Sequence, residues 1–409
     1  MKRKTVSAII LVAVALLLFA CTPPMATDFS PNAEGRLAAK VSGAERIPGP
    51  KYLEGEIGPG TLYAIYYPEE WNGDLVLYAH GYTDPAGPLV LPPLGTGMQE
   101  ARDQILARHF AIAFSSYKEN GWAVQDAVIR TRQLIGLFTS KFGKPGEVFL
   151  MGHSMGGTVT IMLAEKNPQL ISGALPMAGP IGGAQLEIDY VANVRILFDY
   201  FFPGVIRGDA LDVPEDLNFY SEVVPAVMAL FSPLNPEAAA NVFKAMRLAS
   251  VDQVAIRYLN ATELAMGLLR ALAYQVIGVR DMTGRTHGHV MTDNMQTAYT
   301  ITGVAQPDIN AGVDRFQSTP DAENYLAHYY LPDGRLRVPV LTLHKTRDAD
   351  VPIFHEVEYA RIAAQAGGSG LLVQRTIEAF GHSDFTAEQT LQAFDDLVAW
   401  VRTGVKPMP

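Results

Sequence analysis

Gly152-His153-Ser154-Met155-Gly156-Gly157 sets a serine between two glycines with the spacing G-x-S-x-G. A serine hydroxyl is a weak nucleophile until a base takes its proton and a sharp turn holds it clear of the chain. Glycines two residues before and two after suit such a turn, because side chains there would collide with neighbouring backbone. The chemistry would be attack on an acyl carbonyl, and the oxyanion that develops needs preorganised N–H donors. Met155 follows the serine and opens a helical pattern, so its N–H is one such donor, with the positive end of the helix behind it. Nine histidines compete to be the base. His80 and His153 adjoin glycine turns, His344 ends an apolar run, and His382 sits in Phe380-Gly381-His382-Ser383-Asp384-Phe385. Asp348 and Asp350, both just past that apolar run, compete to orient the base.

The elements around these residues alternate. Residues 53–57 and 61–67 read as paired strands, 75–79 as a buried strand, 99–108 as a helix, 110–114 as a strand and 122–142 as a long helix. A strand over 148–151 leads into the serine, a helix over 158–166 leaves it, and 171–177 is a further strand. From about 180 to 337 the alternation gives way to helical patterns with prolines at the joints. The clearest cover 236–250 and 252–276, with Asp252 as N-cap and Gly278 as stop. Alternation resumes with a strand at 338–343, a helix at 353–366, a strand at 371–377 and a closing helix at 387–401. Strands alternating with helices predict a mostly parallel sheet covered on both faces. The middle then reads as an insertion, since two unrelated domains in series would leave the last strands without a sheet to join.

The strand-turn-helix setting of Gly152-His153-Ser154-Met155-Gly156-Gly157, together with Leu77-Tyr78-Ala79-His80-Gly81-Tyr82, resembles the α/β-hydrolase superfamily from about residue 46 to 406, the insertion excepted. That resemblance implies an α/β-hydrolase fold with core segments 46–179 and 338–409 and an inserted mainly helical cap, or lid, at 180–337. It makes Ser154 the nucleophile and His382 the base, with His344 as the alternative. It places the acid at Asp348, where the family has H-G-x-x-D followed by V-P. Lys345 stands in place of the usual glycine, and Asp350 is the alternative acid, otherwise a surface or helix-capping carboxylate. The oxyanion hole falls to the N–H groups of Tyr82 and Met155. The activity implied is hydrolysis of small-molecule carboxylic esters through an acyl-enzyme, without a cofactor, with a peptidase or amidase of the same fold as the alternative. A third reading is a binding protein that keeps the fold but has lost catalysis. The intact set of catalytic residue types argues against it.

Two further features invite chemistry. His287-Gly288-His289, with Asp281 and Asp293 nearby, has metal-ligand types, but histidines two apart share a face only on a strand and no third ligand stands at diagnostic spacing. A polar loop accounts for them as well. The run Phe198-Asp199-Tyr200-Phe201-Phe202-Pro203 reads as lid packing or as a contact for the acyl chain.

Of the 409 residues, 48% are apolar and 18% charged, enough for a sizeable core. The net charge of −10 includes the basic Lys2, Arg3 and Lys4, and so acidic a chain excludes a nucleic-acid partner. After that basic head, an apolar run from Val6 to Ala20 has the layout of a secretory signal, 1–20. Leu18-Phe19-Ala20-Cys21 is similar to the lipobox of bacterial lipoproteins, which implies acylation of Cys21, the sole cysteine. The expectation is an exported protein anchored by lipid to the outer membrane or cell surface of a bacterium, with 21–45 as a flexible tether.

Overall fold

The computed structural model describes residues 51–232, 235–249 and 256–409. The leader, Cys21, the tether and Asp252 lie outside the described residues. Among those described, no helix is long and apolar enough to cross a membrane.

Strands β1 (Lys51–Glu56), β2 (Leu62–Tyr67), β3 (Leu75–Ala79), β4 (Ala111–Ser115), β5 (Val148–His153), β6 (Gly173–Met177), β7 (Val340–Arg347) and β8 (Leu372–Phe380) form one sheet in the order β1-β2-β4-β3-β5-β6-β7-β8. The β1–β2 and β2–β4 pairs are antiparallel and the others parallel. The central strands are apolar along both edges of the pleat. Leu75, Leu77 and Ala79 of β3 join one core cluster, while Val76 and Tyr78 join another on the opposite face. Helices α1 (Thr96–Ala107), α2 (Val124–Phe142), α3 (Met155–Lys166), α11 (Phe354–Gln365) and α12 (Ala387–Thr403) cover these faces. This is the α/β-hydrolase fold.

Between β6 and β7 the chain leaves the sheet. It forms α4 (Ala184–Phe201), α5 (Val224–Leu230), α6 (Pro236–Ala249), α7 (Ala261–Ala273), α8 (Val279–Arg285), α9 (Pro307–Gly312) and α10 (Pro320–Tyr330), with a short ribbon pairing Thr300–Ile301 to Val304–Ala305. Most of these helices share a core of their own, including Val194, Phe198, Val242, Leu268 and Leu272.

Here the sequence reading needs two corrections. The helix read over 252–276 is capped by Asn260, whose Oδ1 accepts from the Glu263 N–H at 2.9 Å. Gly278 is no stop either: it keeps a helical φ of −71°, and the chain runs through a π turn at Tyr274–Gly278 into α8. A Cβ at Gly278 would lie 3.4 Å from Trp122 Nε1, so the glycine admits the indole against the helix. Termination comes beyond Thr286, at His287 and Gly288, which have positive φ.

Candidate active site

Ser154 joins β5 to α3 with φ 54° and ψ −128°, a conformation that costs a non-glycine residue free energy and that the packing around it enforces. Its N–H donates to Met177 O at 2.9 Å, tying the turn to β6. The flanking glycines are sterically required. A Cβ on Gly152 would lie 2.3 Å from Gly156 O, and one on Gly156 would lie 2.1 Å from Ala79 O. The His80-Gly81-Tyr82 turn packs directly on the nucleophile, since a Cβ on Gly81 would be 3.7 Å from Ser154 Oγ. Met155 is the first residue of α3, so its N–H has no preceding helical turn to accept it, and Tyr82 follows Gly81 in the turn beside the serine. The Tyr82 phenol is buried with no hydrogen bond among the described residues, its ring edge-on to Trp122 and Tyr274.

At the same C-terminal edge of the sheet, β7 and β8 deliver the other two groups. His382 Nδ1 donates to Asp348 Oδ2 at 2.6 Å. Asp348 Oδ1 accepts from the N–H groups of Asp350 and Val351 at 2.9 and 3.0 Å, which fixes the carboxylate. Burial would raise the Asp348 pKa, but His382 and these donors hold it below the ordinary value. Burial would likewise lower that of His382, yet Asp348 and Asp350 outweigh it and hold it above the ordinary histidine value. His382 Nε2 is buried and makes no hydrogen bond among the described residues. Lys345, the residue replacing a glycine, is buried and donates from Nζ to Asp384 Oδ1 at 2.9 Å and to Asp384 O at 3.2 Å. It stitches the acid's strand to the histidine's loop.

The alternatives fall elsewhere. Both nitrogens of His344 face acceptors, Glu356 Oε1 at 3.2 Å and Val351 O at 2.8 Å, so it is a structural group behind the acid. Burial would lower its pKa, but Glu356 raises it. His80 and His153 are driven by burial to about 4 and about 3 and stay neutral. Asp350 is neither a surface carboxylate nor a cap: it is buried and ion-paired with Arg270 of α7.

The candidate metal group is dispersed. Asp281 pairs with Arg285 and accepts from the Trp122 N–H, Asp293 accepts from the Met295 and Ser318 N–H groups, and His289 lies 3.4 Å from Asp321. Among the described residues, the cluster close enough to hold an ion is Asp348, Asp350 and His382, within which His382 pairs with Asp348 and Asp350 with Arg270. Phe198 is buried in the inserted helices' own core, and Phe201 and Phe202 pack against it.

Sequence reasoning missed three groups. Arg270 is one. Glu187 and His355 are the others: His355 Nδ1 accepts from the Gly182 N–H at 3.2 Å, so Nε2 carries the proton and donates to Glu187 Oε2 at 2.8 Å. Each is one polar residue on an amphipathic helix, with no neighbouring motif to mark it. Glu187 also borders a small cavity with Trp122, Val191, Tyr274, Met282 and Met291, beside the Tyr82 ring.

No protein-family model matches the chain. It is 21% identical to the o-phthalyl amidase of Xanthobacter agilis over 410 residues, which cover 86% of this chain and 88% of that one. Among solved structures, it is similar to feruloyl esterase B of Aspergillus oryzae, with a TM-score of 0.48 and 14% identity over 87% of this chain and 81% of that one. It is also similar to the acylaminoacyl peptidase of Pyrococcus horikoshii, with a TM-score of 0.43 and 10% identity over 88% of this chain. The match spans 42% of that peptidase's length.

Proposed function

We propose that the protein is a serine hydrolase that cleaves carboxylic esters through an acyl-enzyme on Ser154. The observation that carries this reading is the 2.6 Å contact between His382 and Asp348 at the sheet edge that also presents Ser154 in its strained turn. Asp348 fixes the tautomer with the proton on Nδ1, leaving Nε2 free to take the Ser154 proton as Oγ attacks the acyl carbon. The N–H groups of Tyr82 and Met155 stabilise the oxyanion. His382 then returns the proton to the departing alcohol, and water, deprotonated by the same nitrogen, releases the acid and restores the serine.

An amide substrate is the second reading. It is favoured by the likeness to a protein named an amidase, and it needs the same groups, with His382 protonating an amine instead of an alcohol. The test is labelling by a fluorophosphonate probe, with p-nitrophenyl esters of increasing chain length run beside aminoacyl-p-nitroanilides. Ser154→Ala should lose labelling and turnover while remaining folded. Retained labelling in that variant would refute the nucleophile, and faster anilide cleavage would make the enzyme an amidase. Export and lipid anchoring belong to the same proposal through the leader pattern. Cys21→Ser should remove the protein from the membrane fraction.

A further inference from the structure

The acid loop carries two buried aspartates, and the second has a role the triad does not use. Ligand atoms of Asp348, Asp350 and His382 lie within 4.8 Å of one another. Asp350 Oδ2 pairs with Arg270 Nη1, while its Oδ1 is buried without a hydrogen bond among the described residues. Arg270 comes from α7, outside the sheet that supplies every member of the triad. Two carboxylates this close in a low-dielectric site do not both ionise cheaply, and the pair shares a proton unless a cation intervenes. A protonated Asp350 could donate to Asp348 and compete with His382 for the carboxylate that orients it.

We propose that Arg270 is a positioning residue: it holds Asp350 as a carboxylate beside His382, so that the catalytic base works in its proper charge environment only with the inserted helix α7 seated on the acid loop. The inference rests on the serine-hydrolase reading. The charged and titratable groups facing His382 are Asp348 and Asp350 from the acid loop, Arg270 from α7 and His153 from the nucleophile turn. Asp350 is faced in addition by Glu187 and Tyr190 of α4, by Tyr258 and by Tyr274 of the π turn. Burial holds the Asp350 carboxyl above its ordinary value, and Arg270 limits the rise. Removing the cation therefore raises the proton affinity of the whole cluster, whichever group takes the proton. Removing the Asp350 charge lowers that of His382.

The experiment measures the rate of fluorophosphonate labelling at Ser154 against pH, which needs no knowledge of the substrate. It uses the full chain and its Arg270→Gln, Arg270→Lys, Asp350→Asn and doubly substituted Arg270→Gln/Asp350→Asn variants. Arg270→Gln should move the acid limb to higher pH and slow labelling at neutral pH by about 10- to 100-fold. Arg270→Lys, which keeps the charge, should leave the limb in place. Asp350→Asn should move it to lower pH with a loss under about tenfold. The double variant, having no uncompensated buried charge to unfold it, should recover to within about threefold of Asp350→Asn. An unmoved limb in folded Arg270→Gln, or losses that multiply in the double variant, would overturn the inference and leave Arg270 a structural tie. If Arg270→Gln does not fold, a double variant that labels more than about tenfold slower than Asp350→Asn shows that Arg270 acts other than through Asp350 and overturns it equally. Failure of the unaltered chain to label at Ser154 would instead refute the serine-hydrolase reading itself.

Discussion

The sheet and the helices inserted into it position their residues by different means. In the sheet, backbone geometry does the work: the serine sits on a turn whose flanking glycines leave no room for a Cβ, and the acid is fixed by two main-chain N–H groups. The inserted helices are organised around side chains. Arg195, fully buried, pairs with Asp199 and donates to the carbonyls of Ile206, Arg207 and Gly208. Among the polar links by which they reach the rest of the chain, four are Arg270 to Asp350, Glu187 to His355, Tyr190 to Ala349 O at 3.0 Å, and Asp281 to the Trp122 N–H at 2.6 Å. Three of these four end at or next to the loops around Asp348. The inserted helices are thus tied to the orienting acid as well as covering the site, and changes in them should reach the chemistry in graded steps where changes in the sheet act all at once.

The largest effect is expected in the sheet. Asp348→Asn should lower kcat by about 10²–10⁴ in folded protein, because the amide presents a donor where the His382 Nδ1–H needs an acceptor. Equal or greater damage from Asp350→Asn would reassign the acid and erase the contrast between the two aspartates.

Next comes the Glu187–His355 link. Burial holds the Glu187 carboxyl well above its ordinary pKa and drives that of His355 well below the ordinary histidine value, so burial favours the neutral form of both partners. Glu187→Ala leaves the His355 Nε2–H buried without its acceptor and should destabilise the protein by about 1–3 kcal/mol, read by denaturant titration. For a carboxyl whose folded pKa is raised, stability is fully present below the unfolded value and is lost as pH rises through the folded one. Glu187→Gln, which never ionises, should therefore lose less stability than the unaltered chain as pH rises above the ordinary glutamate value of about 4.5. An unchanged pH dependence would mean that Glu187 is ionised and the link is an ion pair.

A smaller effect concerns the working pH. Since the carboxylates beside His382 hold its pKa above the ordinary value, the acid limb of kcat/KM should lie above about 6.5. A limb well below that value would show that burial outweighs the carboxylates.

How much of this was legible in the sequence follows the same division. Ser154, Met155, Tyr82, Asp348 and His382 stand in short local patterns, because backbone turns impose residue types at fixed offsets. Their elements were readable from period-two runs on both faces of β3 and β5. Asp348 falls one residue beyond β7, which runs to Arg347 instead of ending at residue 343 because its outer residues pair with β8. Arg270 and Asp350 are 80 residues apart, and their meeting depends on how α7 docks. Nothing local encodes that, and the sequence leaves Asp350 open between an alternative acid and a surface or capping carboxylate. A glycine at 278 signals an end by propensity, whereas the chain keeps helical φ and ψ there and continues through the π turn into α8.

The smallest effect separates two aromatic or apolar regions of the inserted helices. Phe201 and Phe202 lie at the far end of α4 from Glu187, a separation of fourteen residues and so about 21 Å along a helix. Phe202 stacks near Phe198 at 5.1 Å between ring centroids, and Phe201 near Tyr200 at 5.1 Å. Both pack on the core of the inserted helices. Val191, by contrast, stands one turn from Glu187 and lines the cavity beside Tyr82. Val191→Ala should therefore change the ranking of p-nitrophenyl ester chain lengths by about fivefold, the low end of the ~1–3 kcal/mol that one methylene is worth in an apolar pocket. Phe202→Ala should leave that ranking as it is and cost about 2 kcal/mol of stability, less than the ~3–5 of a fully buried ring. A shifted ranking in Phe202→Ala with an unshifted one in Val191→Ala would place the acyl chain against the aromatic run after all, and would mean that α4 bends or moves to bring its far end over Ser154.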